Sequence, residues 1–309
     1  MVRQTYGDVE FGVFLPRWGD HATPDAFERV ARTAEEAGYD AVWRSDHVTF
    51  PAEVPAELYP FGDPSFHVSQ SAHDSFQVLS YLASITDRVK LGMNVCVVPY
   101  RHPVLLAKLC LTLASLSEGR FELGVGSGWL RNEFEVLDVP FEERGSRTDE
   151  FLDIFEHALA ENDFAFDGPH HQFQRTGFYP TPAPGDEPPI WVGGRSPAAF
   201  RRVAEYGDGW TIVGDSPDEI RSARERIDRA WDDYDRDGDP AILSTNRVRI
   251  DPDATDDPRP MVGSREEVRT AIEEYVDAGV THFVLDVPDD DADEQVRQIR
   301  EIGEFVADQ

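Results

Sequence analysis

The feature that most constrains the fold is a repeated alternation of short apolar runs with segments of helical periodicity, continuing from residue 11 to residue 306. Strands that alternate with helices pair in parallel, because each helix carries the chain back along the sheet. Eight such units predict an α/β fold in which the sheet closes into a (β/α)8 TIM barrel. An open doubly wound sheet is the alternative, but the strands do not divide into two mononucleotide-binding halves. We therefore expect one barrel domain over residues 1–309.

Capping signals mark several predicted helix starts. Thr23 stands directly before Pro24, and Ser264 is followed three positions later by Glu267. A Ser or Thr side chain can accept a hydrogen bond from the first helical turn, and proline suits the first helical position. Ser264 and Glu267 together form a capping-box pattern. These signals predict helices that begin after residues 23 and 264.

Two long stretches without regular periodicity interrupt the pattern, at about residues 48–72 and 162–189. Loops of this length in a compact domain usually carry function, and in a barrel the loops that follow strands lie at the C-terminal face. The first insert is rich in Pro, Phe and Tyr, which favours a loop packed over a substrate. Within the second, residues 168–173 suggest a hairpin.

Residues 119–133 combine a predicted strand, a glycine-rich turn and the start of a helix. Gly124, Gly126 and Gly128 allow the backbone to come close to a ligand or to another chain segment. Their spacing departs from the dinucleotide-binding G-x-G-x-x-G pattern, because position 131 is arginine. Two interpretations remain at this point: a tight turn packed for its own sake, or a turn that binds a ligand.

Polar residues follow several of the predicted strands, at the end of the barrel where catalytic groups collect. Asp46 and His47 follow the second strand, and a histidine there could exchange a proton near neutral pH. The alternative is a surface histidine beside a loop aspartate. Gly193, Gly194 and Arg195 stand before a predicted helix start, where free N–H groups and a positive dipole can bind phosphate. Many strand–helix turns have such residues without binding anything.

The charge balance restricts the partners of the protein. It has 60 acidic and 29 basic residues, a net charge of −31, and Lys90 and Lys108 are its only lysines. Such a field repels nucleic acid and anionic membranes, so neither is expected as a partner. The excess of carboxylates predicts an acidic, halophilic surface whose self-repulsion is screened by high salt. An anionic ligand would therefore need a local group of arginines or backbone N–H groups.

Other sequence features point to a cytoplasmic protein without a metal site. No apolar run approaches the roughly 18 residues that span a bilayer, and the N-terminal residues lack the apolar core of a secretory signal. Cys96 and Cys110 lie in apolar surroundings, which favours two buried thiols over a disulfide. No histidines and cysteines stand at metal-ligand spacing, so no metal is expected.

Several stretches of the chain together resemble the bacterial-luciferase-like superfamily and, within it, the oxidoreductases that use the deazaflavin coenzyme F420. They occur in order over roughly residues 10–215, and beyond them the resemblance is mainly one of architecture. The stretches are AGYDAVW (37–43), SDH (45–47), LG (91–92) with PYRHP (99–103), LSEGRF (116–121) with LGVG (123–126), PIWVGG (189–194) with SPA (196–198), and GDGW (207–210).

The resemblance implies a catalytic role for two residues and a support for the cofactor ring. His47 would be the proton donor or acceptor beside the hydride centre, and Asp46 would contact the deazaflavin ring. Asn94 and Val95 match the place where the family carries a non-prolyl cis peptide bond, in a bulge that supports the ring from behind.

The resemblance also implies further binding residues. Ser127, Gly128 and Asn132 match positions that bind the ring and side chain of the cofactor. Gly193, Gly194 and Arg195 match the phosphate-binding turn. The aromatic residues expected to line the substrate site are Trp18, Phe50 and Trp129.

The chain departs from one branch of the family, and other functions stay open. Sugar-phosphate dehydrogenases of the family carry a catalytic glutamate where this chain has Trp129, and no lysines match those that would bind a sugar phosphate. We therefore expect a different small organic substrate and, from the family, a homodimer. One alternative is a monooxygenase that uses reduced flavin mononucleotide (FMN) and oxygen. Another is a non-catalytic barrel that binds a ligand.

Overall fold

A computed structural model describes residues 6–17, 19–50, 72–254, 261–287 and 291–306. The strands within these residues are Glu10–Phe14 (β1), Ala41–Arg44 (β2), Lys90–Val97 (β3), Phe121–Gly126 (β4), Asp163–Asp167 (β5), Gln172–Gly177 (β6), Ile190–Gly193 (β7), Gly209–Val213 (β8), Ala241–Arg247 (β9), Arg249–Ile250 (β10), Val262–Gly263 (β11) and His282–Asp286 (β12). The α-helices are Pro24–Glu36 (α1), Ser75–Ala83 (α2), Pro103–Leu116 (α3), Arg131–Val136 (α4), Arg144–Ala160 (α5), Pro197–Tyr206 (α6), Pro217–Asp233 (α7), Arg265–Asp277 (α8) and Ala292–Val306 (α9). No helix in this part of the chain is both long enough and apolar enough to cross a bilayer.

Eight of the strands form a closed parallel barrel in the order β1-β12-β9-β8-β7-β4-β3-β2. Consecutive barrel strands along the chain are neighbours, and β1 pairs with β12 to close the sheet. Helices separate the strands along the chain. The predicted α/β TIM barrel is therefore confirmed.

The local predictions hold where capping chemistry or turns decide the structure. Thr23 accepts a hydrogen bond from Ala26 N, and Ser264 and Glu267 form the predicted capping box. The hairpin in the second insert is present as β5 and β6, which pair antiparallel. The first insert lies almost wholly outside the described residues, so its predicted covering of a substrate stays a prediction.

The sequence predicts a seventh barrel strand over residues 241–250, but the strand in the structure is shorter. It ends at Arg247, and the chain then forms β10, which pairs with β11 in a separate two-stranded sheet. Val248 N still donates to Asp286 O at 3.1 Å, whereas Arg249 N donates to Met261 O at 2.9 Å. Val248 and Ile250 are buried like the residues of β9, so the sequence pattern does not mark the break between the two strands.

Large side chains fill the lower part of the barrel interior. Trp43 and Trp191 pack there with Leu243 and Val284. Because strand side chains alternate between the two faces of a sheet, residues two and four positions further along these strands point into the barrel mouth. Apolar side chains therefore fill the interior towards the N-terminal ends of the strands. At the C-terminal ends, which form the barrel mouth, the interior is polar, because β9 and β12 end in Arg247 and Asp286.

The Val95 side chain explains much of the glycine pattern at the mouth. Pairing of β3 with β4 shifts register between Met93 and Cys96, which marks a bulge around Val95. A Cβ atom built on Gly126 would lie 2.7 Å from Val95 Cγ2, and one built on Gly193 would lie 3.3 Å from Cγ1. The glycines of β4 and β7 thus leave room for a valine that the bulge brings towards them.

We expect Gly126→Ala to lower the free energy of unfolding by about 1–3 kcal/mol, because the added methyl group overpacks the contact with Val95. In the double variant Gly126→Ala/Val95→Ala, the nearest remaining atom would be Val95 Cβ at 3.6 Å, an ordinary contact. The double variant should therefore have a free energy of unfolding only slightly lower than that of Val95→Ala alone. Denaturant unfolding of the four proteins measures this coupling.

Gly145→Ala is the matched control for this experiment. Gly145 lies in α5, and its nearest atom to an added Cβ is Arg202 Nη2 at 3.5 Å. Alanine is the better helix former, so the control should be neutral or more stable by up to about 1 kcal/mol. The packing explanation would be contradicted if Gly126→Ala lowered the free energy of unfolding equally in the natural protein and in the Val95→Ala variant.

Candidate active site

Asp46 is held in an ion pair at the C-terminal end of β2. Only 2% of its surface is exposed, and its carboxylate accepts hydrogen bonds from the Arg101 guanidinium at 2.6 and 2.9 Å. Its Oδ2 atom also accepts the backbone N–H of Val97 at 3.0 Å. These contacts join the ends of β2 and β3, which is the arrangement of a positioning residue. The contact of Asp46 with a cofactor ring stays a prediction.

The imidazole of His47 is oriented by a buried carboxylate. His47 Nδ1 lies 2.8 Å from Glu133 Oε2, and the two side chains are 11% and 0% exposed. The Phe50 ring lies 5.4 Å from the imidazole, centre to centre, and Trp129 meets it edge-on at 6.4 Å. The structure thus brings together three of the sequence-predicted residues, from the end of β2 and from the turn after β4.

Glu133 connects several segments. Besides His47, its Oε2 atom accepts the Tyr100 hydroxyl at 2.7 Å, and Oε1 accepts the backbone N–H groups of Val48 at 2.7 Å and Thr49 at 3.2 Å. Each carboxylate oxygen therefore has two partners. The segment that follows β2 is held by this one side chain of α4.

The electrostatics of this group favour one tautomer of His47. Burial acts to raise the pKa of Glu133, but the contacts with His47 and Tyr100 outweigh it, so the pKa lies below its ordinary value. Burial and the adjacent Glu133 carboxylate raise the pKa of Tyr100, so its hydroxyl stays a donor. An ionised Glu133 favours a proton on His47 Nδ1. Nε2 is then the ring atom suited to proton exchange.

Sequence analysis missed Glu133, Tyr100 and Arg101 as site residues. Glu133 stands one position after the predicted Asn132, but the helical turn buries Glu133 and leaves Asn132 exposed. Tyr100 and Arg101 lie inside the stretch PYRHP, one of the stretches that carry the family resemblance. A buried position on α4 occupied by a glutamate was the one available signal, since a buried carboxylate requires partners.

Asn94 is buried in a polar layer across the upper barrel. Its Nδ2 atom donates to Thr245 Oγ1 at 2.7 Å, and its Oδ1 atom accepts from Thr211 Oγ1 at 2.8 Å. The peptide bond between Asn94 and Val95 is cis, as the resemblance predicted. Asn94 thus links β3 to β8 and β9, while Val95 is partly exposed at the mouth.

The turn after β4 is partly explained by contacts within the chain. Ser127 Oγ lies 3.2 Å from Thr148 Oγ1, and Gly128 has a positive φ of 79°. A Cβ atom on Gly128 would lie 2.6 Å from Val97 Cγ1 and 2.9 Å from the Phe134 ring. Packing thus accounts for the glycine, and the predicted binding of a cofactor by this turn stays a prediction.

The predicted phosphate turn lies at the end of β7. Gly194 has a positive φ of 113°, and its carbonyl oxygen accepts from Trp210 Nε1 at 2.8 Å. Arg195 is half exposed, and its Nε atom donates to the buried Asp215 at 3.0 Å. The guanidinium charge already has a carboxylate partner, so the backbone around Gly193 and Gly194 is the more accessible part of this turn.

Both ends of the insert at residues 48–72 are held at the same edge of the barrel. Glu133 accepts from Thr49 N at one end, and Arg44 Nη2 donates to His73 O at 3.1 Å just beyond the other. Trp18 and residues 51–71 lie outside the described residues, so the predicted contact of Trp18 with a substrate stays a prediction.

The residues of this site lie within a segment that matches a known protein family. The family model described as luciferase-like monooxygenase matches residues 9–256, which include every strand of the barrel except the last and all of the groups described above. The chain belongs to this luciferase-like family. The resemblance inferred from the sequence is thereby confirmed.

Proteins similar to this chain in sequence or in fold are named both as F420-dependent enzymes and as monooxygenases. The F420-dependent glucose-6-phosphate dehydrogenase of Kineococcus radiotolerans is 28% identical, and the match covers 92% of each chain. A solved F420-dependent secondary alcohol dehydrogenase, in complex with an F420-acetone adduct, has a TM-score of 0.78 at 19% identity and covers 95% of this chain and 98% of its own. A monooxygenase from Streptomyces bottropensis has a TM-score of 0.79 at 21% identity and covers 96% and 98%. The two solved structures show the shared fold.

The mouth of this luciferase-like barrel has an apolar surface and exposed backbone that could hold a flat ring. Val95 provides a partly exposed apolar surface, and Gly194 provides exposed backbone that has no side chain. His47 stands at the end of β2, and β2 and β4 both neighbour β3, which carries Val95. The arrangement can hold an aromatic ring over a bulge and present an oriented imidazole to it.

Proposed function

We propose that the protein transfers a hydride between coenzyme F420 and a small organic substrate at the mouth of the barrel. The observation that carries the proposal is the contact between His47 Nδ1 and the buried Glu133 carboxylate at 2.8 Å. A histidine held in this way presents its second nitrogen in one orientation, which proton transfer requires. Full-length similarity to a relative named as an F420-dependent dehydrogenase supports the choice of cofactor.

The residues of this chain would bind, orient and move a proton. When bound, the deazaflavin supplies the hydride chemistry. Val95 supports the ring, and Asp46 holds the strand ends around it through Arg101. His47 Nε2 gives a proton to the substrate oxygen when a carbonyl is reduced and takes one when an alcohol is oxidised.

The remaining predicted contacts complete this proposal. Ser127, Gly128 and Asn132 bind the ring and side chain of the cofactor, and the turn at Gly193 and Gly194 receives its phosphate. The sugar phosphate of the Kineococcus relative is not carried over to this chain, because Trp129 replaces the glutamate expected in that branch.

A second candidate is an FMN-dependent monooxygenase that uses reduced flavin and oxygen. It is supported by the monooxygenase description of the family model and by the Streptomyces bottropensis structure. The same barrel mouth and the same His47 would serve either cofactor, so binding must discriminate between them.

Titration of the purified protein with oxidised F420 and with FMN tests the proposal. We expect a saturable change in the deazaflavin absorption spectrum and a Kd for F420 at least tenfold lower than for FMN, a difference of about 1.4 kcal/mol. The titration should be carried out in high salt, with FMN titrated under the same conditions for comparison with F420. Tighter binding of FMN, together with oxygen-dependent turnover, would favour the monooxygenase.

A further inference from the structure

We propose that Arg247, flanked by Arg17, binds an anionic oxygen group of the substrate, so that the substrate is a small organic acid or a phosphate monoester. This inference rests on the proposed function, because it assigns a substrate class to the same barrel mouth. It concerns the ends of β1, β9 and β12, on the side of the barrel opposite the glycine-rich turns of β4 and β7.

The register of the strands places Arg247 inside the mouth. Arg247 pairs laterally with Asp286, the last residue of β12. Leu243 and Val284 belong to the interior cluster, and Arg247 and Asp286 follow them at even spacing, so all four side chains point to the same face. The guanidinium therefore lies above the apolar layer of the barrel and not on its outer surface.

Most hydrogen-bond donors of Arg247 are unused within the described part of the chain. Its contact is a long one, from Nη1 to Asp286 Oδ2 at 3.4 Å. Its Nε atom is buried and has no hydrogen-bond partner among the described residues. A buried N–H without an acceptor is costly, and a planar guanidinium presents paired donors that match carboxylate and phosphate oxygens. Arg247 is thus arranged to receive an oxyanion.

Arg17 is held beside the same site by its neighbours. Its Nη2 atom lies 3.0 Å from Asp286 Oδ1, and its guanidinium carbon lies 5.2 Å from the centre of the Phe14 ring. The buried Arg44 donates to Arg17 O at 3.2 Å and to Pro16 O at 2.5 Å. Two guanidiniums are therefore positioned around one carboxylate, each with part of its surface exposed.

Two other arginines that the structure describes at strand ends do not offer this arrangement. Arg101 makes a two-pronged ion pair with Asp46, and Arg195 pairs with Asp215. Arg247 differs because its carboxylate contact within the described residues is long and is shared with Arg17. Because the chain has a net charge of −31, an anion-binding site needs a local cluster of positive charge. The ends of β1 and β9 provide such a cluster.

The position suits a substrate between the arginines and the proton donor. β1, which leads to Arg17, pairs with β2, which leads to His47, and β12 and β9 follow on its other side. A molecule whose anionic group contacts Arg247 would extend across the mouth towards His47. Such an electrostatic contact remote from the reacting carbon would orient the substrate.

The test is binding of small probes to the full-length, cofactor-free protein, measured by ligand-observed NMR at one ionic strength. The probes are benzoate, phenyl phosphate and the uncharged benzyl alcohol. We expect at least one anion to bind saturably and Arg247→Gln to weaken it by roughly tenfold or more, since hydrogen bonds to charged groups are the strong ones. Benzyl alcohol binding should not change. The two anions distinguish an organic acid from a phosphate ester.

Arg221→Gln is the control, because Arg221 is half exposed on α7 and pairs locally with Asp218. Arg247→Lys keeps a charge without the planar fork and provides a second variant if Arg247→Gln does not fold. It should weaken binding of the preferred anion less than Arg247→Gln does.

The proposal is overturned if neither anion binds, if Arg221→Gln has the same effect, or if the Arg247 variants weaken F420 binding and leave anion binding unaffected. The last result would assign Arg247 to the cofactor tail. Failure of the protein to bind F420, with anion binding intact, would count against the proposed cofactor alone.

Discussion

Replacement of His47 by alanine is expected to lower kcat for deazaflavin-linked turnover by about 10²–10⁴-fold, the usual contribution of general acid–base catalysis. The protein should still bind F420, because the bulge at Val95 and the glycine turns remain. The rate is followed as the change in deazaflavin absorbance with a panel of small alcohols, carbonyl compounds and organic acids. The Kd from the titration separates binding from chemistry.

His157→Ala is the matched control for this measurement, because His157 lies on the surface of α5 and contacts Glu161 one turn further on. It should leave kcat unchanged. If His47→Ala kept the activity of the natural protein, the imidazole would have no role in proton transfer. A protein that bound F420 without any turnover, in both forms, would instead support the non-catalytic barrel.

Replacement of Asp46 by asparagine is expected to lower the free energy of unfolding by about 3–5 kcal/mol, because it leaves the Arg101 charge buried without its main partner. The side chains of Asp46 and Arg101 are 1% and 11% exposed, so water cannot take over the interaction. Arg101 also contacts Asp74 at 3.1 Å, which places the expected loss towards the lower end of that range. Denaturant unfolding at constant salt measures it.

A double-mutant cycle isolates the ion pair from other effects of the substitution. Arg101→Gln added to Asp46→Asn should cost little more than either single change, since both charges are then gone. Asp163→Asn is the control, because its pair with Arg175 is largely exposed to solvent and should contribute little to stability. A stable Asp46→Asn variant without activity would contradict the positioning role and favour direct contact with the cofactor.

The sequence predicted the barrel well because the information for it is local. Strand and helix periods, Thr23 before Pro24 and the capping box at Ser264 each act within a few residues. The seventh strand was predicted too long because contacts between residues that are not adjacent in sequence set its end. The strand breaks after Arg247 because Arg249 hydrogen-bonds to Met261 and pairs with Val262, a contact that no local pattern records.

For the candidate site, the sequence indicates where residues lie in the fold better than it indicates their contacts. His47 and Asp46 could be located at the end of a strand, yet the partners that orient them are separated by 86 and 55 positions along the chain. Closure of the barrel brings these partners together, and local periodicity does not report it. The glycine-rich turn shows the same limit, since its contacts with Val95 and Val97 arise from a bulge on a neighbouring strand.

The two attachments of the insert at residues 48–72 have a consequence for protein engineering. Thr49 is held through Glu133 and His73 through Arg44, so the junctions are defined by the scaffold on either side. The intervening stretch could be exchanged for that of another luciferase-like protein at these two junctions while His47 keeps its orientation. Under the proposed function, we expect chimeras joined there to change which substrate is accepted while the contact between His47 and Glu133 is kept.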